Sequence, residues 1–214
     1  IVGIDTLVKV AKNTYADCPN DESRDMFIVP AYVEKLIENK WLGDKTGNGF
    51  FKKVKNAEGK SEIHVLNLKT FEYTPSAKAK FATVDAAKQI DDVKSRIKAL
   101  HHGTDKAGDF YRNVTALVNK YVSFRIPEIA DELYKIDDAV KAGFGWELGP
   151  FETWDVLGVE KTAQMMEASG FAPAAWVKEM TAAGNKSFYI TENGKRKFYD
   201  VATKSYKDIP GADA

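Results

Sequence analysis

The sequence predicts a mainly α protein made of two tandem helical units, each carrying a small aromatic β-hairpin. Three observations carry that expectation. Most of the chain places apolar residues three and four apart, the spacing of an amphipathic helix. Two segments instead hold short aromatic and β-branched runs on either side of a glycine-containing turn. The succession helix, helix, hairpin, tyrosine, proline also occurs twice.

Taken in order, Asp5 can cap a first helix with Leu7, Val8, Val10, Ala11 and Tyr15 on its apolar face. Pro30 suits the start of a second helix, 31 to about 40, burying Tyr32, Val33, Leu36 and Ile37. Residues 50–54 and 63–66 are the arms of the first hairpin, turning near Gly59. A third helix begins at Thr83 or Asp85 and runs through Ile90, Val93, Ile97 and Leu100. His101 and His102 then fall in a solvated linker.

A longer apolar helix covers 110 to about 125, and Pro127 ends or kinks it because it has no N–H. A helix restarts at 126–128 and continues through Leu133; the stretch 136–141 is short and stops at Gly143. Pro150 opens a helix through Val156, with Trp146, Phe151 and Trp154 expected in the core. Helices at 160–169 and 174–183 follow, with Gly170 and Gly184 as stops. Residues 188–191 and 196–199 flank Asn193-Gly194, a strong hairpin signal.

The repeat has four ordered anchors. Val2-Gly3-Ile4-Asp5 corresponds to Leu157-Gly158-Val159-Glu160, Tyr32-Val33 to Trp176-Val177, Phe50-Phe51 to Phe188-Tyr189, and Tyr73 to Tyr206. The order is kept while the spacing shrinks, as shorter loops in the second copy would give. The second copy has a long leader, 110–155, and the first has almost nothing before Val2. The chain also starts without Met and ends in Gly211-Ala212-Asp213-Ala214. The expectation is a fragment of a longer protein, divided into an N-terminally truncated first unit with linker (1–104) and a second unit (105–214).

Lys plus Arg and Asp plus Glu are both 31 in 214 residues, so the net charge is zero. That excludes a nucleic-acid binder recognised by bulk basic charge. No run reaches the eighteen apolar residues that would suggest a membrane span. Cys18 is alone, which excludes a disulfide framework and a thiolate metal cage and makes the reducing cytoplasm the default. None of His64, His101 and His102 sits in a metal-ligand pattern.

Two glycine-rich segments invite a phosphate reading. A dinucleotide loop follows a strand and opens a helix. Gly143 to Gly149 follows a helical segment and its glycine spacing is one residue too long, so it reads as a connection between helices. A P-loop ends in Gly-Lys-Ser/Thr and runs into a helix. Gly43 to Gly49 runs into a strand, so it reads as a turn feeding the hairpin, with Lys45 exposed. Glu152 and Asp155 share a helix face near Glu147, yet no histidine is close in sequence. Acids complementing the helix dipole after Pro150 explain them. The expected catalytic, cofactor-binding and metal residues are therefore none.

Specific strings go further. GFGWELGPFETWDVLGVEK, from Gly143 to Lys161, resembles the signature of the C-terminal domain of L-3-hydroxyacyl-CoA dehydrogenases. VGIDTL, from Val2, is similar to the tail of that signature. WLGDKTGNGFFKK, from Trp41 to Lys53, resembles the family's second signature. The resemblance implies two tandem units like the C-terminal domain of 6-phosphogluconate dehydrogenase, packed with pseudo-twofold symmetry. It points to the long bacterial and archaeal enzymes of fatty-acid β-oxidation, in which an enoyl-CoA hydratase domain is often fused.

In that family NAD-dependent oxidation uses a His–Glu pair and a nucleotide loop in a Rossmann domain, and none of those positions exists here. The family's active-site Asn precedes the Val2 segment; Asn113 falls near the equivalent place in the second copy, in a string that departs from the pattern. The motif positions carried over, all in structural roles, are Gly3, Asp5, Lys45, Gly47, Gly49 and Phe50, and then Gly149, Pro150, Phe151, Glu152 and Asp155. The implied function is the non-Rossmann helical part of the dehydrogenase, supporting the acyl-CoA cleft. NAD and acyl-CoA would be bound through the Rossmann domain of the parent, and this chain alone would be inactive. The expected partners are repeat against repeat, or a homo-oligomer, with no nucleic acid and no membrane span. The alternative is a non-catalytic dimerisation or acyl-CoA-binding module.

Overall fold

The computed structural model describes residues 2–211. The chain is mainly helical and divides into two compact units, one up to Ala79 and one from Lys80 onward.

The first unit opens with α1 (Ile4–Asp17). Its N-cap is Gly3 at φ 92, a conformation that glycine reaches without a Cβ penalty. Asp5, expected as the cap, lies in the first turn instead. Only Ile4 and Val8 of α1 are buried, and Leu7 and Val10 of the expected apolar face are exposed. α2 (Ala31–Glu38) follows Pro30 and buries Val33 and Leu36, but Tyr32 stays on the surface. Strands β1 (Phe51–Lys55), β2 (Ser61–Leu66) and β3 (Tyr73–Pro75) form an antiparallel sheet in that order. Phe51 faces Val65 and Leu66 faces Tyr73 in the ladder. Trp41 stacks on Phe71 at 5.8 Å and packs with them against Ile4, Val8, Val33, Leu36 and Leu66.

The second unit opens with α3 (Ala82–Ala87) and α4 (Val93–His102). One helix was expected here. Asp92 breaks it by capping α4, where its carboxylate accepts the Ser95 N–H at 2.7 Å. Both helices pack on α5 (Lys106–Phe124), and α4 also packs on α7 (Pro150–Leu157). The division between units therefore falls at 79/80 and not at 104/105. Asp105 closes that corner: it caps α5 through Ala107 N and Gly108 N, each at 3.1 Å, and accepts Thr83 N at 3.0 Å. His101 is buried at the end of α4, not solvated in a linker.

After α5, the expected helix restart at Pro127 is a turn, and α6 (Leu133–Phe144) begins later. It is longer than expected and ends on Gly145 in the left-handed conformation, two residues beyond Gly143. α7, α8 (Val159–Ala168) and α9 (Ala175–Ala182) follow. Strands β4 (Tyr189–Glu192), β5 (Lys195–Asp200) and β6 (Ser205–Asp208) form a second antiparallel sheet in that order. Phe188 anchors the core, its ring 5.0 Å from Phe151, 5.1 Å from Trp154 and 5.8 Å from Trp176. Phe151, Trp154 and Phe188 are fully buried, each stabilising the fold by about 1.5–3 kcal/mol relative to exposure. Trp146, expected in this core, is 46% exposed.

Both hairpins gain a third strand that the sequence pattern did not predict. In each, a tyrosine hydroxyl reaches back to the carbonyl just before the first aromatic: Tyr73 to Gly49 O, and Tyr206 to Ser187 O, both at 2.6 Å. Leu66 N to Phe50 O at 2.9 Å is likewise matched by Tyr199 N to Phe188 O at 2.8 Å. Gly3 at φ 92 and Gly158 at φ 88 stand before α1 and α8 respectively.

Candidate functional site

The second unit is organised around the start of α7. A helix N-terminus leaves N–H groups without partners inside the helix. Pro150 removes one of them, having no N–H. Asp137, from the buried face of α6, accepts two more: Phe151 N on Oδ1 at 2.8 Å and Glu152 N on Oδ2 at 3.0 Å. Glu152 turns back and accepts Gly149 N at 2.8 Å on Oε2. Its Oε1 receives Arg196 of β5 at 2.7 Å and Lys141 of α6 at 3.3 Å. Asp155, nearly one turn on, accepts Phe188 N at 2.7 Å and Tyr189 N at 2.9 Å, which fixes the entry to β4. Tyr189 then donates its hydroxyl to Asp137 Oδ2 at 2.7 Å. A Cβ on Gly149 would overlap the Asp137 carboxyl, so this position has room only for glycine.

Three carboxylates thus tie α6, α7 and the sheet together, and their environments differ. Burial pushes Asp155 up to about 7, against the pull of the Phe188 and Tyr189 N–H groups. Burial likewise pushes Asp137 up to about 6, opposed by the Tyr189 hydroxyl and the α7 N–H groups. Burial acts the same way on Glu152, but the Gly149 N–H and the charges of Arg196 and Lys141 hold it below the usual carboxylate range. Tyr189 is raised by burial and by the neighbouring Asp137 charge. A polar cleft of about 480 Å³ lies alongside, lined by Glu152, Asp155, Tyr189 and Arg196 together with Lys94 and Lys98 of α4. Every partner named for the three acids is a backbone N–H, a cation or a phenol. The arrangement holds elements together and presents no nucleophile–base pair.

The expected positions of the first unit form a separate arrangement. Lys45 reaches both oxygens of Asp5, at 2.6 and 2.7 Å, and this lowers the Asp5 pKa. The pair is exposed, so solvent screens it. Gly47 takes φ 72 to close the short helical turn at Lys45, and the backbone of Gly49 lies against Gly43. Gly43 N donates to Asn48 O at 2.7 Å, and the chain passes into β1 with Phe50 edge-on to Tyr32 at 6.4 Å. Gly43 to Gly49 is thus a turn before a strand, and Gly143 to Gly149 joins two helices. Neither is the strand-to-helix turn that cradles a dinucleotide pyrophosphate, so these residues do not fit NAD. Among the described residues no group of His, Cys, Asp and Glu could hold a metal ion. Asn113 is exposed on α5.

Glu152 and Asp155 were singled out by the sequence, but their partners Asp137, Lys141, Tyr189 and Arg196 were not. One signal existed: Asp137 stands four residues after Leu133, on the buried stripe of α6, and an aspartate there needs donors.

Residues 110–200 match the family model described as 3-hydroxyacyl-CoA dehydrogenase, C-terminal domain. The chain is 41% identical over 200 residues to the "Probable 3-hydroxyacyl-CoA dehydrogenase" of Bacillus subtilis (strain 168), covering 94% of this chain and 25% of that protein. It is 28% identical over 155 residues to the "Putative fatty acid oxidation complex trifunctional enzyme" of Rickettsia felis, covering 71% of this chain and 20% of that protein. The protein of the same name in Rickettsia prowazekii is 23% identical over 153 residues, with the same coverage. The chain thus spans a quarter or less of the length of these relatives. No solved structure matches the chain significantly. No helix among the described residues is long and apolar enough to cross a membrane.

Proposed function

We propose that the chain, whose residues 110–200 match the model of the 3-hydroxyacyl-CoA dehydrogenase C-terminal domain, is the non-Rossmann helical part of an NAD-dependent L-3-hydroxyacyl-CoA dehydrogenase of fatty-acid β-oxidation. In this reading it supports the acyl-CoA cleft and domain assembly, while NAD and the catalytic acid–base pair belong to a Rossmann domain of the parent. The observation that carries the reading is the fate of the signature residues. Gly149, Pro150, Phe151, Glu152 and Asp155 are all used in seating α7 on α6 and the sheet. A scaffold uses its motif in this way. Purified chain given 3-hydroxybutyryl-CoA and NAD should form no NADH, and turnover by the chain alone would overturn the proposal.

The matched tyrosine-to-carbonyl bonds, glycine starts and three-stranded sheets support a tandem pair of like units. Their pseudo-twofold packing is part of the proposal. An experimental structure in which the two units make no contact would remove it.

A second reading, a dimerisation or acyl-CoA-binding module, is favoured by one feature of α5. Phe110, Val114, Leu117, Tyr121 and Phe124 recur at alternating steps of four and three and are all exposed. Sedimentation of the wild type beside Leu117→Glu separates the readings. Only a dimerisation module shows a dimer that the variant abolishes.

A further inference from the structure

We propose that the first unit is the docking seat for a helix from the polypeptide upstream of residue 1. The seat is an apolar groove of about 600 Å³ between the start of α1 and the turn into β1. Val2, Leu7, Val10 and Phe51 line it and are 72%, 60%, 57% and 60% exposed. Leu7 and Val10 stand three residues apart, on one face of α1. A contiguous exposed apolar patch of this kind marks a surface that another element covers.

The second unit shows which element. In the repeat register Leu7 matches Thr162, and Phe50 and Phe51 match Phe188 and Tyr189. Thr162 is 2% exposed, and Phe188 is fully buried where Phe50 is only half-buried. The difference is α7, which packs on α8 and places Phe151 and Trp154 at 5.0 and 5.1 Å from the Phe188 ring. The same helix supplies Asp155, which accepts Phe188 N and Tyr189 N at 2.7 and 2.9 Å. In the first unit no carboxylate among the described residues accepts Phe50 N or Phe51 N. An apolar face and two backbone donors are thus left open where the second unit has α7.

The register also specifies the occupant. Ile1 matches Val156, so the residue before Ile1 matches Asp155. A helix reaching that point brings an acid to the two N–H groups, and a charged acceptor makes the stronger bond with them. Its large apolar residues one turn earlier, at the places of Phe151 and Trp154, fill the groove. Relatives have room for such a segment, since the Bacillus subtilis protein is covered over only 25% of its length. The inference rests on the two units being alike, as proposed above. It does not rest on the dehydrogenase reading or on how the units pack together.

The test compares this chain with the same chain carrying its natural upstream stretch, as long as α5 to α7, by amide hydrogen exchange. The residue before Ile1 should be Asp or Glu. The Phe50 and Phe51 amides should exchange about tenfold more slowly in the extended chain, and replacing that acid by Ala should return them to the rate of the short chain. Leu7→Asp should lower the melting temperature of the extended chain by several degrees and leave the short chain unmoved, with circular dichroism confirming the fold. An apolar residue before Ile1, unchanged exchange in the extended chain, or no effect of Leu7→Asp there would overturn the proposal. A dimer of the extended chain that Leu7→Asp dissolves would assign the face to a second copy and overturn it as well. None of these outcomes alters NADH formation, so the turnover assay separates failure of the dehydrogenase reading from failure of this one.

Discussion

The Tyr189 hydroxyl donates to Asp137 Oδ2 at 2.7 Å, joining the first residue of β4 to the middle of α6. Asp137 spends its other contacts on α7. This one carboxylate therefore couples a helix, a second helix and a sheet. Tyr189→Phe removes a donor from a buried acceptor and should cost about 1–3 kcal/mol in urea unfolding. An unchanged midpoint would mean that the two N–H groups satisfy Asp137 alone.

Asp155 carries the clearest pH signature. Its pKa is raised from 3.8 to about 7 by burial, so the folded state holds a proton that the unfolded chain releases between those values. Its contribution is fully present below about pH 3.8 and is lost as pH rises through about 7. Asp155→Asn should therefore flatten the stability profile between pH 4 and 7, read by denaturant titrations at several pH values. A profile as steep as that of the wild type would remove Asp155 as the cause.

His101 has the opposite sign. Burial, then the charges of His102, Arg112 and Lys161, lower its pKa from 6.5 to about 4. The unfolded chain binds the proton first, so stability falls as pH drops from about 6.5 toward 4. Both ring nitrogens are buried without partners, so the neutral ring already sits at a cost. His101→Leu should remove the acid-side loss and leave neutral-pH stability equal or higher. A loss of stability at pH 7 would show that the imidazole makes a contact the leucine cannot.

Two glycines separate steric from conformational need. Gly149→Ala places a methyl on the Asp137 carboxyl and should cost about 1–3 kcal/mol by overpacking. Gly3→Ala forces a Cβ into a φ of 92 and also into the Asp5–Lys45 pair, costing about 1–2 kcal/mol from the backbone alone. Melting curves that resolve the two units should place the first loss in the second unit and the other in the first. Lys45→Met, by contrast, removes a screened surface pair and should leave the midpoint unmoved at high salt.

Much of the local structure was legible in the sequence. Pro150 predicted the first residue of α7, Asn193-Gly194 predicted the turn between β4 and β5, and the apolar spacing located most of the helices. These features are set by a few neighbouring residues: a missing N–H, a permitted φ, a period of 3.6. The short third strands escaped because three or four residues of β-pattern mean little until a partner edge supplies the ladder. The α3–α4 break escaped because Asp92 within a helical pattern reads equally as a surface acid or a cap.

Which face is covered was beyond the sequence altogether. On α5 the aromatic and aliphatic row from Phe110 to Phe124 is exposed, while Thr115, Ala116, Asn119, Val122 and Ser123 are buried. The sequence by itself determined the mainly helical class, the glycine and proline punctuation and the family strings. Only the tertiary structure decided that α3 and α4 belong to the second unit and that Asp137 serves α7 from fourteen residues away. The reason is physical: periodicity states that a helix has an apolar face, but the burial of that face, and the donors that reach a carboxylate, depend on where other elements cross it.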